Sequence, residues 1–375
     1  MVGWFGFPML AASLPELASG AIAGQRFSMN VRHLAKLAGL SPSAVSLALR
    51  DSPKVSAATR KRVQALAARE GYRPDAKLVA LMTHLRRPRE VRQGACFGVI
   101  SFYDTPRPWE GSRHLALIHE GMERRAGELG YRLEPLWLRA PGMTHRRLRG
   151  ILDARGIEGL LCFGSPDPEQ EFPAELGRDL AVVTVGLSIH TPLHRVTSHF
   201  YNDTVQALER MHALGYRRPG LVLGRYEEAR GGHAHSSAYL GWCEHRLGPD
   251  GALPVLRLDG VEEEPLLAWL GRERPDALAF VHLYDTLPAL RELLRRNRPR
   301  LPRGLGVAVL SQIVEGSGFS GLQQNQPLMG AWAVELLAAR IANRDFGIPA
   351  SPRVEMVESR WVDGGSLGRR ARPGE

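Results

Sequence analysis

The sequence has only three cysteines, Cys96, Cys162 and Cys243, and they are widely spaced. It therefore offers no CxxC pair and no disulfide framework, which suits a reducing compartment and predicts a cytoplasmic location. The chain also has no run of about 18 or more apolar residues, so no membrane span and no membrane partner are predicted. These absences argue against a disulfide-bonded secreted domain and against an integral membrane protein.

Recognisable catalytic motifs are missing as well. The chain has no P-loop and no nucleophile elbow with a matching order of Ser, His and Asp. Residues 316–321 have the spacing G-x-G-x-x-G, but their context is not that of a first strand followed by a phosphate-facing helix, so a flexible loop is favoured. His233 and His235 have no Asp, Glu or Cys at ligand spacing, which favours a polar loop over a metal site. We predict no catalytic residue, no metal and no cofactor.

Lysine is scarce and confined to one segment. The chain has four lysines, Lys36, Lys54, Lys61 and Lys77, and all lie within residues 30–93. That segment contains 14 Lys and Arg against 4 Asp and Glu, a net charge of +10 that equals the net charge of the whole chain. Such local basic charge is typical of a surface that binds nucleic-acid phosphates, although a solvated helical bundle would also tolerate it.

The same segment predicts a helix-turn-helix. Gly39 separates two short helical patterns, and Ser41-Pro42 begins the second, because Ser is a good N-cap and Pro suits the first helical position. A third helix should begin at Ser56 and end at Gly71, and a short fourth helix should follow Pro74. The apolar residues of the first two helices have the spacing of one buried face; they are Leu34, Leu37, Val45 and Leu49.

Residues 31–85 contain six short motifs whose order along the chain is informative. They are His33-Leu34-Ala35, Ala38-Gly39-Leu40-Ser41, Ala44-Val45-Ser46-Leu47, Val55-Ser56, Thr59-Arg60-Lys61-Arg62-Val63 and Gly71-Tyr72-Arg73-Pro74-Asp75. Together they resemble the DNA-binding headpiece of the lactose repressor/galactose repressor (LacI/GalR) family of bacterial transcription regulators. Ala44 and Leu47 replace the Thr and Arg of that family's recognition helix, so the resemblance implies DNA binding but no particular operator.

The resemblance implies that the helix over residues 42–50 enters the major groove of a pseudo-palindromic, double-stranded operator. The predicted polar base contacts are Ser43, Ser46 and Arg50, the apolar ones are Ala44 and Leu47, and the phosphate contacts are Ser41, Ser56, Arg60 and Arg62. Leu81 stands where the family inserts a leucine from paired hinge helices into the minor groove.

Beyond residue 94 the pattern changes to alternating strands and helices. Apolar strand-like runs occur at residues 95–102, 159–164 and 180–187, with amphipathic helical patterns at 114–130 and 202–214 between and after them. This alternation predicts doubly wound parallel α/β sheets, and some 270 residues are too many for one such unit. We therefore predict two similar lobes separated by a cleft.

Three motifs extend the family resemblance into this body: Leu214-Gly215-Tyr216-Arg217-Arg218, Gln326-Pro327-Leu328-Met329-Gly330-Ala331 and Val357-Glu358-Ser359-Arg360. The resemblance implies a periplasmic-binding-protein-like fold that holds a small effector between its lobes and forms a homodimer. It also implies three crossings of the chain between the lobes, near residues 195, 323 and 347.

Four side chains near strand ends are predicted to contact the effector. Trp109 follows the first strand and can stack on a sugar face, while His235, His282 and Ser311 can form hydrogen bonds with hydroxyl groups. The family's own ligand-binding motifs are replaced at the last three positions. A sugar-like effector, another small molecule and no ligand at all therefore stay open.

The predicted domains are a disordered tail or misassigned start (1–28), the headpiece (29–73), a hinge helix and linker (74–94), the two-lobed body (95–366) and a tail (367–375). Residues 1–28 lack the basic beginning of a signal peptide, since their first positive side chain is Arg26.

We expect a DNA-binding repressor under effector control. The alternatives are a periplasmic-type solute-binding protein, which would have no use for the headpiece, and a sugar-acting enzyme.

Overall fold

The chain forms two compact units in a computed structural model, residues 1–88 and residues 89–375. The structure describes residues 31–49, 52, 55–70, 72, 95–281, 286–310 and 317–370. The predicted N-terminal tail and hinge helix lie outside these residues.

The described part of the first unit has three helices, α1 (Val31–Ala38), α2 (Pro42–Leu49) and α3 (Ala57–Arg69). Gly39 makes the turn between α1 and α2 with a positive φ of 65°. Ser41 is the N-cap of α2, because its Oγ accepts a hydrogen bond from the Ala44 N–H at 3.2 Å. Ser56 caps α3 in the same way through the Thr59 N–H at 3.3 Å. Both helix starts agree with the sequence-based prediction.

Small and apolar side chains form the core of this three-helix headpiece: Leu34, Ala35, Val45, Ala48, Val63 and Ala67. The prediction that Leu37 is buried was wrong, since its side chain is 50% exposed. The buried stripe of α1 runs through Leu34, Ala35 and Ala38, which leaves Leu37 on the solvent side of that stripe.

The strands of the second unit are β1 (Cys96–Ser101), β2 (Arg132–Trp137), β3 (Gly159–Cys162), β4 (Ala181–Val185), β5 (His194–Ser198), β6 (Pro219–Gly224), β7 (Leu256–Leu258), β8 (Ala277–Val281), β9 (Gly306–Val309), β10 (Ser320–Gln323), β11 (Val354–Val357) and β12 (Arg360–Val362). They form two six-stranded sheets, in the orders β11-β5-β4-β3-β1-β2 and β12-β10-β9-β8-β6-β7. All neighbouring strands are parallel except β10 and β12. We call the first sheet and its helices the N-lobe and the second the C-lobe.

The helices of this unit are α4 (Arg113–Glu128), α5 (His145–Arg155), α6 (Ala174–Gly177), α7 (Phe200–Ala213), α8 (Arg225–Arg230), α9 (Ala234–Leu247), α10 (Glu263–Glu273), α11 (Leu287–Arg296) and α12 (Gln326–Asn343). They cover both faces of each sheet. In β1, Val99 packs with residues of α4 and α12, while the next residue, Ile100, packs with α5 on the other face. The C-lobe has two cores in the same way. This arrangement confirms the predicted pair of doubly wound lobes.

Two glycines allow α4 and α12 to pack backbone against backbone in the N-lobe. A Cβ atom at Gly121 would lie 1.9 Å from the carbonyl oxygen of Pro327, and one at Gly330 would lie 2.0 Å from that of Ile118. Neither position has room for a side chain unless the helices separate.

The chain crosses between the lobes after β5, between β10 and α12, and between β11 and β12. The first two crossings lie close to the positions that the resemblance implied. The third lies at residues 358–359 and not near 347, because residues after α12 first add β11 to the N-lobe sheet beside β5.

Strand β5 was not predicted, because its sequence HRVTS is mostly polar although all five residues are buried. Arg195 compensates for its own burial: its Nη2 donates to the carbonyl oxygens of Ile189 and Thr191, each at 3.0 Å.

The body continues past residue 366, where the sequence suggested the start of a tail. The backbone N–H of Arg370 donates to the Leu214 carbonyl oxygen at 2.9 Å. Its guanidinium group lies 2.9 Å from an Asp276 carboxylate oxygen and 5.3 Å from the ring centre of Tyr216. These contacts fasten residues 367–370 to the C-lobe.

Candidate functional site

Side chains of α3 hold the headpiece helices in place. Nη1 of Arg60 donates to the carbonyl oxygens of Val55 at 2.7 Å and Ser52 at 3.1 Å, and Nη2 of Arg62 donates to that of Ala38 at 3.0 Å. Both arginines were predicted to contact phosphates. A guanidinium has five N–H donors, so this bracing role leaves phosphate contact chemically feasible, and that contact stays a prediction.

Helix α2 packs one side into the headpiece core. Val45 and Ala48 are fully buried, whereas Ala44 and Leu47, two of the predicted base contacts, are half-buried. The hydroxyl groups of Ser41 and Ser56 serve as helix caps. Of the other predicted DNA contacts, Ser43 and Ser46 lie in α2 with side chains outside the described part, and Arg50 and Leu81 lie wholly outside it.

A cavity of about 560 Å³ lies between the two lobes of the body. Its N-lobe wall includes Tyr103, Ser112, His114, Phe163, Ser188 and Ser198. Phe200, Tyr226 and Arg230 line it from the C-lobe, and Gln324 lines it from the second crossing. A volume of this size and a mostly apolar wall with a few polar groups are typical of a site for a small molecule.

The two described effector residues that the sequence singled out do not line this cavity. The ring of Trp109 stacks on His119, with 4.0 Å between ring centres, and lies 5.3 Å from that of Phe163, which does line the cavity. His235 is buried behind Phe200, with ring centres 5.2 Å apart, and its Nδ1 lies 2.8 Å from the Thr204 hydroxyl. Burial, followed by the charge of Arg230, lowers the pKa of His235 to about 3. The other two predictions, His282 and Ser311, lie outside the described residues.

Sequence reasoning missed Tyr226, Arg230 and Gln324. A signal was present for the first two, because they follow the apolar run of strand β6, and the carboxyl ends of parallel strands are where ligands bind. The Tyr226 hydroxyl also donates to the Ser165 carbonyl oxygen of the N-lobe at 2.5 Å. This hydrogen bond joins the lobes at the edge of the cavity.

A histidine of the N-lobe wall is uncharged. Burial, followed by the charge of Arg230, lowers the pKa of His114 to about 3, so its imidazole is neutral at physiological pH. Burial also raises the pKa of the Tyr103 and Tyr226 phenols, which keeps both as neutral hydroxyl groups. Arg230 is therefore the one charged side chain among the described residues that line the cavity.

Polar side chains connect the first and third crossings between the lobes. Glu358 accepts a hydrogen bond from Asn202 at 2.7 Å, and its other carboxylate oxygen lies 2.8 Å from Nδ1 of His199. The Ser359 hydroxyl donates to the buried Asp203 carboxylate at 2.9 Å. Burial raises the pKa of Asp203 to about 7, and the hydrogen bond from Ser359 opposes this shift only in part.

Asp203→Asn is expected to make the unfolding free energy less sensitive to pH. The pKa of Asp203 is raised from 3.8 to about 7 on folding, so its favourable contribution is complete below pH 3.8 and is lost as the pH rises to about 7. Between pH 5 and pH 8 the wild type should lose roughly 2–3 kcal/mol relative to the variant. Urea unfolding at both values measures this. The exposed Asp250→Asn is the control, and parallel pH profiles for wild type and Asp203→Asn would contradict the assignment.

In the described part of the chain, no helix is long and apolar enough to cross a membrane. Within the same residues, no three His, Cys, Asp or Glu side chains are grouped as a metal site would need. A helix-turn-helix unit and a two-lobed body with a cavity between its lobes together define the class of effector-controlled DNA-binding regulators.

Comparison with known proteins supports this class. The family of bacterial regulatory proteins called the lacI family matches residues 30–75. The regulator TreR of Salmonella typhimurium is 25% identical over 266 residues, which are 69% of this chain and 76% of TreR. The regulator PtxS of Pseudomonas plecoglossicida is 26% identical over 324 residues, 84% of this chain and 90% of PtxS.

A solved structure shares the fold of both units. The lac repressor dimer bound to operator and the anti-inducer ONPF has a TM-score of 0.54 and 16% identity, covering 91% of this chain and 99% of that one. Residues 30–75 thus match the lacI family of bacterial regulatory proteins, and the chain is a helix-turn-helix transcriptional regulator similar to TreR and PtxS, as its motifs predicted. A solute-binding protein without a DNA role is not supported.

Proposed function

We propose that this chain represses transcription as a homodimer and that a small effector, bound in the cavity between its lobes, controls its affinity for a pseudo-palindromic operator. The observation that carries the proposal is the combination, in one chain, of a lacI-family headpiece with a cavity at a lobe interface whose mostly apolar wall includes aromatic rings and a few polar groups. The proposed location is cytoplasmic, where operator DNA is accessible.

The homodimer follows from the symmetry of such operators. One headpiece reads one half-site, so two identical half-sites require two headpieces related by a twofold axis. The lac repressor, which shares this fold, is a dimer when bound to its operator. The four proposed recognition residues of α2, Ser43, Ala44, Ser46 and Leu47, would face the major groove together with Arg50.

The cavity lies where a ligand can change the angle between the lobes. Tyr226 and Ser165 join the lobes at its edge, and His199 and Glu358 join two of the crossings. A ligand that binds one lobe angle better than another shifts the population towards it, and the coupling to DNA affinity is reciprocal. The effector is proposed to be a sugar or a derivative, since hydroxyl groups and aromatic rings line the wall. No catalytic role is proposed for these residues.

Selection of binding sites from a random duplex library by the full-length protein tests the DNA-binding half of the proposal. We expect enrichment of a two-fold symmetric site, with an affinity that falls steeply as salt rises because phosphate contacts release counterions. Ala44→Asp should weaken binding to that site by roughly 100-fold or more, because a carboxylate would face DNA phosphates or base acceptors. The thermal midpoint should change little, since Asp in the first turn suits a helix.

Ala65→Asp provides a control, since Ala65 lies at an exposed position of α3 and the substitution adds the same charge. Its effect on affinity should be much smaller than that of Ala44→Asp. Selection of no common sequence, or equal losses for both variants, would contradict the proposed role of α2.

A further inference from the structure

The one charged side chain among the described residues that line the cavity, Arg230, forms no ion pair with a carboxylate of the described residues. It also forms no hydrogen bond within the part of the chain that the structure describes, and its Nε is buried without a partner there. Its guanidinium carbon lies 5.6 Å from the ring centre of Phe200 and 5.7 Å from that of Tyr226. These rings hold the guanidinium in place but supply no hydrogen-bond acceptor in its plane. A buried donor without a partner is costly, so an acceptor from outside the chain is expected here.

The start of α4 adds further donors to the same cavity. Gly111, Ser112, His114 and Leu115 all line it. Ser112 is the N-cap residue, yet its hydroxyl forms no capping hydrogen bond, and the first turn of this 16-residue helix has no acidic side chain. The first N–H groups of a helix have no partner within the helix, and its N-terminal end carries a partial positive charge. This end of α4 is therefore suited to an anion.

Arg230 and the start of α4 line the same cavity. The charge of Arg230 lowers the pKa of His114, the second residue of α4, so the guanidinium and the helix start lie within electrostatic reach of each other. The helix start belongs to the N-lobe and Arg230 to the C-lobe. An anion between them would bind both lobes at once, which is the geometry that couples binding to the lobe angle.

Gln324 supplies an independent indication that a polar ligand occupies this cavity. Its side chain is only 4% exposed and lines the cavity, yet its amide group forms no hydrogen bond to any described residue. An amide can donate to one hydroxyl group and accept from another. Ser188, Ser198 and Thr105 add hydroxyl groups on the N-lobe wall.

We propose that the effector is a sugar-sized molecule with one anionic group, a carboxylate or a phosphate, and that Arg230 and the N-terminus of α4 bind that group. Gln324 and the wall hydroxyls then bind the neutral hydroxyl groups of the ligand, and the rings of Phe200 and Tyr226 contact its apolar face. This inference rests on the proposed function, in which the cavity is the effector site. The proposed ligand-binding residue of the C-lobe is thus Arg230 and not His235, the residue at the position of the family motif, because His235 is buried and neutral.

The test compares neutral sugars with their own acids and phosphates. The full-length protein is heated with glucose, gluconate, glucuronate or glucose 6-phosphate, and with the galactose counterparts. We expect at least one charged member to raise the thermal midpoint where its neutral parent does not, because a ligand of the folded state stabilises it. Acids and phosphates are scored separately, which distinguishes a carboxylate site from a phosphate site.

Arg230→Gln is the decisive variant, with titration calorimetry as the measurement. It should weaken binding of the charged ligand by at least about 10-fold, as expected for the loss of a charge-assisted hydrogen bond. Arg225→Gln is the matched control on the same helix: Arg225 is 61% exposed, pairs with Asp259 at 3.5 Å, and does not line the cavity. It should leave the affinity unchanged.

Two results would overturn the anionic effector. One is a panel in which no charged sugar stabilises the protein, and the other is a neutral sugar that binds as tightly to Arg230→Gln as to wild type. In either case the proposed regulator still stands if the protein selects an operator. A protein that selects no operator, whatever its ligand, would instead contradict the proposed function.

Discussion

Gly121→Ala is expected to destabilise the body by about 3 kcal/mol or more, although alanine is the better helix former. The new Cβ would lie 1.9 Å from the Pro327 carbonyl oxygen, which belongs to the backbone of α12. A backbone atom cannot turn aside as a flexible side chain can, so α4 and α12 must separate. Separation opens the core beneath them, where Ile118, Met122 and Val334 are buried.

Gly127→Ala is the matched control on the same helix. A Cβ at Gly127 would meet no atom within 4 Å. Its expected effect is therefore a stabilisation of roughly 0.5–1 kcal/mol, from the lower conformational entropy of the unfolded chain. Urea unfolding followed by circular dichroism gives both values. If both variants lose stability equally, or if neither changes, close packing of α4 on α12 is not what holds the N-lobe together.

The effect should extend to the effector cavity, because the same two helices help to form it. Leu115 and Ile118 of α4 and Met329 of α12 contribute to its wall. Gly330 provides a second test from the other helix, since its Cβ would lie 2.0 Å from the Ile118 carbonyl oxygen. Gly330→Ala should therefore resemble Gly121→Ala in stability.

The alternation of strands and helices was predictable from sequence because it depends on local patterns. Buried parallel strands such as GLLC are continuous apolar runs, and they alternate with amphipathic helices such as α5. Strand β5 escaped prediction because its burial depends on its neighbours in the sheet, β4 and β11, and β11 is distant in sequence. The third crossing was misplaced for a similar reason, since β11 is defined by its pairing with β5 and not by its own apolarity.

The proposed effector site was less predictable than the fold. The sequence indicates which segments end near the cleft, but not which side chain of a segment points into it. His235 and Arg230 lie on neighbouring helices, and only the tertiary packing places the histidine behind Phe200 and the arginine in the cavity. Trp109 likewise lies close to the cavity, but its stacking on His119 depends on how residues 108–110 pack against α4. Position along the chain alone cannot decide between these outcomes.

The headpiece was the most predictable unit, since its caps and turn are specified by neighbouring residues. Even there, the prediction that Leu37 is buried was wrong. A short helix has more than one apolar stripe, and packing against the partner helices decides which stripe is buried. Leu34 lies on the buried stripe and Leu37 does not. This difference within one helix allows a sharp test of how much DNA binding depends on the headpiece core.

Leu34→Ala is expected to weaken specific DNA binding strongly while the body keeps its thermal midpoint. Leu34 is fully buried in a core of six residues, most of them small. Its truncation should cost roughly 2–5 kcal/mol, and a unit of this size has only a few kcal/mol of stability. The headpiece would then be largely unfolded. Since each 1.4 kcal/mol spent on refolding weakens binding about tenfold, the affinity should fall by roughly 30-fold or more.

Leu37→Ala, on the same helix, removes the same atoms from a side chain that is 50% exposed, and its affinity should stay within about threefold of wild type. Fluorescence anisotropy with the selected operator measures both variants, and calorimetry of effector binding tests the body independently. Because the headpiece and the body belong to two different compact units, effector affinity in the absence of DNA should be the same in both variants. A loss of effector binding in Leu34→Ala would mean that the body depends on the headpiece for its own stability. Equal DNA affinities for the two variants would mean that the core around Leu34 does not set the stability of the DNA-binding surface.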